Sequence, residues 1–443
     1  MATTGEEPPG PWEWPLVGNT FQFARAPFRF YERCGDFGDV VPYTVGGRRF
    51  YMVLHPDDIE RVLATEHGKF EKGAFQREQL GWLLGEGLLT SEGERWREQR
   101  QRIQPSFGPE KIERYVATMT DCAERACERW RPGEPLAIDA AMRQVTVRIL
   151  ARSLFGTDIE RHVETIAGAM DDIGARAEGG LLAALVPPWV PTPQNRRARR
   201  GQEAIDDVIT DLVERRRGDT AGRDDLLSTL IEAHDAGEIG RDELRDQLVT
   251  FLLAGHETTS LALTYTWYLL ARNEGVRDRL HAELDDQLGG ATPTMTDLAG
   301  LEYTDKVITE SMRLYPPVYR VLRQTREPVE LGGYELDAGT NLTLPQWLVH
   351  RDARWYEDPR TFRPERWTDE FEASLPEYAY FPFGGGPRRC IGMRFATLEA
   401  KLVLATIARE YDLALVDPGA ELAFQPGATV APANPIGMVP RER

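Results

Sequence analysis

The chain is predicted to be mainly helical with a minor β portion, and three observations carry that expectation. Several segments repeat apolar residues at a helical period, the longest running from Arg241 to Asn273. One short β region, residues 36–55, bends at the Gly46-Gly47 pair, the turn chemistry of a tight hairpin. A long irregular stretch, about 351–389, leads into a last amphipathic helix.

In chain order, Met1 to Gly18 is acidic and proline-rich, with no apolar run near the length of a membrane span. The hairpin comes next, followed by helical patterns at 56–66, 92–104, 110–130, 139–155, 160–177 and 195–217. The proline-rich segment Leu185–Pro193 separates the last two. Beyond 241–273 come helices near 274–288 and 304–315, then short strands within 328–345. No linker or internal repeat divides the 443 residues, so one domain over 1–443 is expected, 1–18 being its proline-rich leader segment.

Composition narrows the function classes. A formal charge of −18 argues against nucleic acid or an anionic membrane as the main partner. The only lysines are Lys69, Lys72, Lys111, Lys306 and Lys401, against 71 acidic residues. An acidic, lysine-poor surface fits a salt-loving prokaryote; a high-GC genome would also favour arginine. Cys34, Cys122, Cys127 and Cys390 form no Cys-x-x-Cys pair and no signal peptide opens the chain, so a reducing cytoplasm is expected. The run Arg196 to Arg200 reads as a solvated helix start. The apolar stretch Leu181–Trp189 reads as a mobile roof over a substrate channel.

The most informative segment is Phe383 to Gly392, which carries Gly384, Gly385, Gly386, Arg388, Arg389 and Cys390. Ile391, Phe395, Leu398, Leu402 and Ala405 recur at i, i+4, i+7, i+11 and i+14, placing the cysteine at the start of an amphipathic helix. A thiol there meets unpaired N–H groups and the positive end of the helix dipole, which favours thiolate. Glycines let the backbone pass close to a flat partner, and an arginine fork suits its carboxylates. A lone soft ligand beside such a partner points to haem with a proximal thiolate. Glycines before a cysteine would, alone, mark only a buried structural thiol. The ordered set Phe383, Gly386, Arg388, Cys390, Gly392 is far more specific.

The long helix supplies the opposite wall. Its centre holds Ala254, Gly255, His256, Glu257, Thr258 and Thr259. Gly255 costs roughly 1 kcal/mol against alanine inside a helix, so it needs a reason. Thr258 can bond the carbonyl of Ala254 and bend the helix, and Glu257 adds a carboxylate able to pass protons.

Together these segments resemble the cytochrome P450 family over nearly the whole chain, through the haem-binding signature at 383–392 and the acid–alcohol motif at 254–259. The resemblance implies the P450 fold and a haem-thiolate monooxygenase with haem b. Cys390 would be the axial iron ligand, with Phe383, Gly384, Arg388, Gly392 and Ala254 around the cofactor. Thr258 and Glu257 would manage protons. Trp96 and Arg100 resemble the helix whose Trp and Arg reach a haem propionate, and Arg323 falls where many members place another such arginine. Glu310, Arg313 and Arg366 look like the family's ion-pair triad, which ties the irregular stretch to the core; His350 is read as structural. Phe75, Leu80, Leu83, Leu84, Leu88, Val318, Val321 and Leu322 fall in segments that usually line the pocket, which implies a small apolar substrate such as a fatty acid, terpenoid or steroid-like lipid. With no flavin, dinucleotide or iron–sulfur motif, electrons must come from a separate protein, expected to be a ferredoxin with its reductase, docking near Arg95, Arg97, Arg389 and Arg394. The Pro8–Pro11 segment resembles the hinge after the membrane anchor of microsomal members, here without the anchor. A haem-thiolate isomerase, dehydratase or peroxygenase, and a haem-binding sensor, are the competing classes.

Overall fold

Helix Arg241–Arg272 organises the computed structural model, which describes residues 7–178, 186, 189–220 and 222–443. Asp242 and Glu243 in its first turn and Arg272 in its last complement the helix dipole. From Ser260 to Leu270 every residue is buried, so the C-terminal half is surrounded by protein on all sides. It packs on helix Ile138–Leu154, on Glu302–Leu314 and on Met393–Glu410, the helix that follows the cysteine loop. Gly255 owes its presence to the first of these contacts. A Cβ there would lie 2.2 Å from Cδ1 of Leu150, itself fully buried. Close helix packing is thus the reason that its cost inside a helix calls for.

The β portion is small. Val40–Val45 and Arg48–Val53 form the expected hairpin, with Gly46 and Gly47 at φ +62° and +73°, as a primed two-residue turn requires. Asn341–Leu344 joins it in parallel, and Val321–Thr325 and Phe70–Glu71 complete a five-stranded sheet. Near the C-terminus, Tyr411–Leu415 and Gly437–Glu442 pair antiparallel, and a separate hairpin joins Phe424–Pro426 to Val430–Pro432. The sequence reading contained neither of these C-terminal pairings.

Expected helices recur with modest shifts. Residues 110–130 split into Pro109–Arg114 and Val116–Cys127, and Pro56–Glu60 continues as a π-type turn over Arg61–Thr65. Helices Thr20–Arg25, Pro27–Gly35, Ala74–Leu84 and Leu226–Asp235 were not anticipated. Two apolar clusters form the core: a larger helical one, and a smaller one built on the sheet and rich in aromatic rings. Tyr315 packs against both. Among the described residues no helix is long and apolar enough to cross a membrane. The roof segment 181–189 lies outside the described residues except for Val186 and Trp189.

Candidate active site

The cysteine loop is held rigidly. The Cys390 amide donates to the Phe383 carbonyl at 3.0 Å, and the Gly384 amide to Phe381 at 2.9 Å. Gly386 is forced by close approach: its φ is +60°, and a Cβ would sit 1.8 Å from the Leu63 carbonyl oxygen. Gly385 is pressed against the Tyr378 ring in the same way. Gly384 differs, because it has φ +70° and nothing within 4 Å of its Cβ position. Of the three loop glycines, Gly384 alone has open space where a side chain would stand.

The helix begins at Met393 with Gly392 as N-cap, so Cys390 precedes it by three residues and does not lie on its first turn. The expectation of a dipole-stabilised thiolate changes accordingly. Without a metal, burial pushes the thiol up, while the Gly392 amide, Arg100 and Arg389 pull it back. Cys390 is nonetheless open to a water-sized sphere. A residue that is reachable yet closely surrounded by protein lines an internal slot.

The long helix lines a slot in the same manner. Leu252 and Leu253 are buried, but Ala254 directly after them is exposed and Thr258 half-buried, in the middle of a core helix. The Thr258 hydroxyl donates to the Ala254 carbonyl at 3.0 Å, the i−4 bond the sequence pointed to. Glu257 turns elsewhere: its Oε1 accepts from the Thr429 hydroxyl at 3.0 Å, at the tip of the C-terminal hairpin. Burial raises its pKa, and the Thr429 bond and Arg143 oppose that shift.

Cations crowd one end of the site. Arg388 lies 4.0 Å above the Trp96 ring, pairs with Glu92 at 2.8 Å and donates to the Ser91 carbonyl at 2.9 Å. Arg100 donates to the Arg389 carbonyl at 2.9 Å, and Arg323 to the Leu322 carbonyl at 2.8 Å. Burial and then Arg388 lower Arg323 to about 10. Lys72, absent from the sequence reading as a site residue, joins them. It is 7% exposed, and burial, Arg388 and Arg323 hold its ammonium well below the ordinary lysine range. Its one available signal was rarity, a lysine in an arginine-rich chain. Among the described residues, no carboxylate lies within 4 Å of the Lys72 ammonium or of the Arg100 and Arg323 guanidinium groups, and Glu92, which pairs with Arg388 and accepts from the Lys72 amide at 3.1 Å, alone balances the group. A buried cluster this short of anions fits the two propionates of haem.

The strut behind the loop is fully formed. Glu310 takes a bidentate pair from Arg313, both bonds at 2.8 Å, and a third bond from Arg366 at 2.9 Å. Trp367 and the Arg363 amide fill its remaining lone pairs at 2.9 and 3.0 Å. Arg313 and Arg366 donate onward to carbonyls of His350, Glu357, Pro359 and Thr361. His350 Nε2 accepts from the Phe381 amide at 3.0 Å, so the strut reaches the start of the cysteine loop.

The pocket candidates divide. Leu83, Leu84 and Leu88 are buried in the helical core, and Phe75 packs on Phe50 under Arg48. Val318 and Leu322 are half-buried and belong to neither apolar cluster, whereas Val321 packs on the smaller one. On the cysteine side, Arg95 pairs with Glu86 and Glu243, and Arg97 with Glu94. Arg389 and Arg394 are exposed and, among the described residues, unpaired.

The family model for cytochrome P450 matches residues 8–437. The chain is a cytochrome P450. This P450 is 37% identical over 427 residues to cyclooctat-9-en-7-ol 5-monooxygenase of Streptomyces melanosporofaciens, covering 95% of this chain and 91% of that one. It is 34% identical over 437 residues to cyclooctatin synthase of the same organism, covering 97% and 94%. Pentalenene oxygenase of Streptomyces avermitilis is 32% identical over 422 residues, covering 94% and 93%. As a P450 the chain is a monooxygenase with haem b as its cofactor.

Proposed function

We propose that this P450 oxygenates a terpenoid hydrocarbon or alcohol in the cytoplasm, with electrons delivered by a ferredoxin. The observation that carries the site assignment is the pairing of a deep, reachable Cys390 with the opened Ala254–Thr258 turn, beside an anion-hungry cation cluster. Haem, when bound, supplies dioxygen activation and transfer of one oxygen atom to carbon. Cys390 would bind the iron, Gly384 would leave room for the ring face, and Lys72, Arg100, Arg323 and Arg388 would hold the propionates with Trp96 beneath. The Thr258 hydroxyl gives its proton to Ala254, so its lone pairs accept a bond from a protonated group in the slot. Glu257 would hold and release protons behind it.

A terpenoid is favoured because the named activities of the three relatives act on cyclic terpenes, and because Val318, Leu322 and Ala254 offer apolar surface to a ligand. Among the described residues Arg389 and Arg394 have no acidic partner and would meet an acidic donor, whereas Arg95 and Arg97 already have acidic neighbours. Four free cysteines accord with a reducing compartment. The test is a panel of cyclic terpene hydrocarbons and alcohols, incubated with a ferredoxin, its reductase and oxygen. A singly oxygenated product is expected. Turnover of fatty acids alone would overturn the substrate class, and equal turnover with peroxide and no donor would overturn the electron route.

A further inference from the structure

Glu257 is the proton-handling carboxylate under the reading above, yet its carboxylate is not bonded to Thr258. Its partner is Thr429, 172 residues away, whose hydroxyl donates to Oε1 at 3.0 Å. Thr429 sits in the turn between strands Phe424–Pro426 and Val430–Pro432, and its carbonyl accepts from the Gly427 amide at 2.8 Å. The turn is anchored through Val430, the residue after Thr429. The Val430 amide donates to the Pro317 carbonyl at 2.9 Å, directly before the pocket candidate Val318. The Val430 carbonyl accepts from Tyr265 at 2.6 Å, two turns along the same helix as Glu257. One hairpin tip thus touches both the substrate wall and the carboxylate.

We propose that Thr429 is a positioning residue for Glu257, holding its carboxylate toward the hairpin and so coupling proton supply at Thr258 to the hairpin that borders the substrate. This rests on the assignment of Glu257 to proton handling. The other groups facing Glu257 do not take over this task. Arg143 acts at a distance and is engaged with Asp139 at 3.1 Å and Asp171 at 3.3 Å. His256 turns its Nδ1 to the Leu252 carbonyl, and Ser260 donates to the Glu257 main-chain carbonyl at 2.7 Å, not to the carboxylate. The Thr429 bond favours the ionised carboxylate; burial opposes it.

The holoenzyme tests this through Thr429→Val, which keeps the shape and deletes the donor, and Thr429→Ser, which keeps the donor. The measurement is product formed per electron pair between pH 5 and 9. In wild type, coupling has a limb set by Glu257, and that limb disappears in Glu257→Gln. Thr429→Val moves the midpoint of the limb upward by about one pH unit, the worth of one hydrogen bond to a charged group. Thr429→Ser stays with wild type, and Thr429→Val on top of Glu257→Gln adds no further loss of coupling. An unchanged pH profile in Thr429→Val, or a loss that adds in full to Glu257→Gln, would overturn the proposal, even if substrate binds more weakly. Should Glu257→Gln itself leave the limb in place, the proton role of Glu257 falls first and this proposal falls with it.

Discussion

Thr258 and His256 are neighbours in one helical turn and do opposite things with their polar atoms. Thr258 keeps its oxygen in the slot, so Thr258→Ala should leave substrate affinity nearly unchanged while lowering product per electron pair by up to about a hundredfold, the low end for a proton-handling group. Oxygen uptake compared with product yield checks this. His256 is 1% exposed and its pKa is pushed down to about 4, first by burial. The folded-state pKa lies below the unfolded one, so above about pH 6.5 both states are neutral and the histidine has no pH effect. As pH falls from 6.5 towards 4 only the unfolded state takes the proton, and stability is lost, by about 3 kcal/mol at the lower end. The stability difference between wild type and His256→Gln, followed by denaturant unfolding over this range, should shrink by that order. A difference independent of pH contradicts the assignment.

Elements were legible in proportion to the length of their periodic pattern. The long helix and the cysteine helix each bury a continuous apolar face, and sequence periodicity found both. Helix Leu226–Asp235 carried a readable signal that was missed, because Asp225 caps it by accepting from the Ser228 amide. The C-terminal hairpin is different. Its strands are three residues each, and its meaning lies in contacts to Pro317, Tyr265 and Glu257 far away in sequence. The glycines were read as necessary, and the structure adds protein neighbours the sequence could not show: Gly255 meets Leu150 and Gly386 meets Leu63, while Gly384 has nothing within 4 Å of its Cβ position. Gly386→Ala should therefore be far worse than Gly255→Ala, since a backbone carbonyl cannot step aside, whereas overpacking Leu150 costs about 1–3 kcal/mol. The triad predicts a larger effect still. Glu310→Ala strands Arg313 and Arg366 in a dry interior and should cost about 3–5 kcal/mol, visible as a lowered unfolding midpoint with loss of haem on gentle warming.

At the scale of the whole molecule, charge and fold tell separate stories. The fold places a small aromatic sheet cluster and a large helical cluster against each other, with Tyr315 packed on both, and the strut holds the start of the cysteine loop through His350. The charge of −18 gives an acidic body, and Arg389 and Arg394 beside the cysteine are exposed with no acidic partner among the described residues. Electron transfer from an acidic donor should slow as ionic strength rises, and Arg389→Glu with Arg394→Glu should remove most of that salt dependence without altering substrate binding. Screening of the acidic excess should raise the unfolding temperature between 0.1 and 2 M potassium chloride, because the Debye length falls from about 10 Å at 0.1 M to about 3 Å at 1 M and repulsion within the folded body weakens.

The central claim is that the Cys390 sulfur, and no other group, binds the iron. The direct measurement is the absorption spectrum of the freshly prepared, reduced, carbon-monoxide-bound protein, recorded for wild type and Cys390→Ala. A far red-shifted Soret band in wild type that vanishes in the variant is the predicted result. A wild type without that band, or a variant that keeps it, contradicts the account.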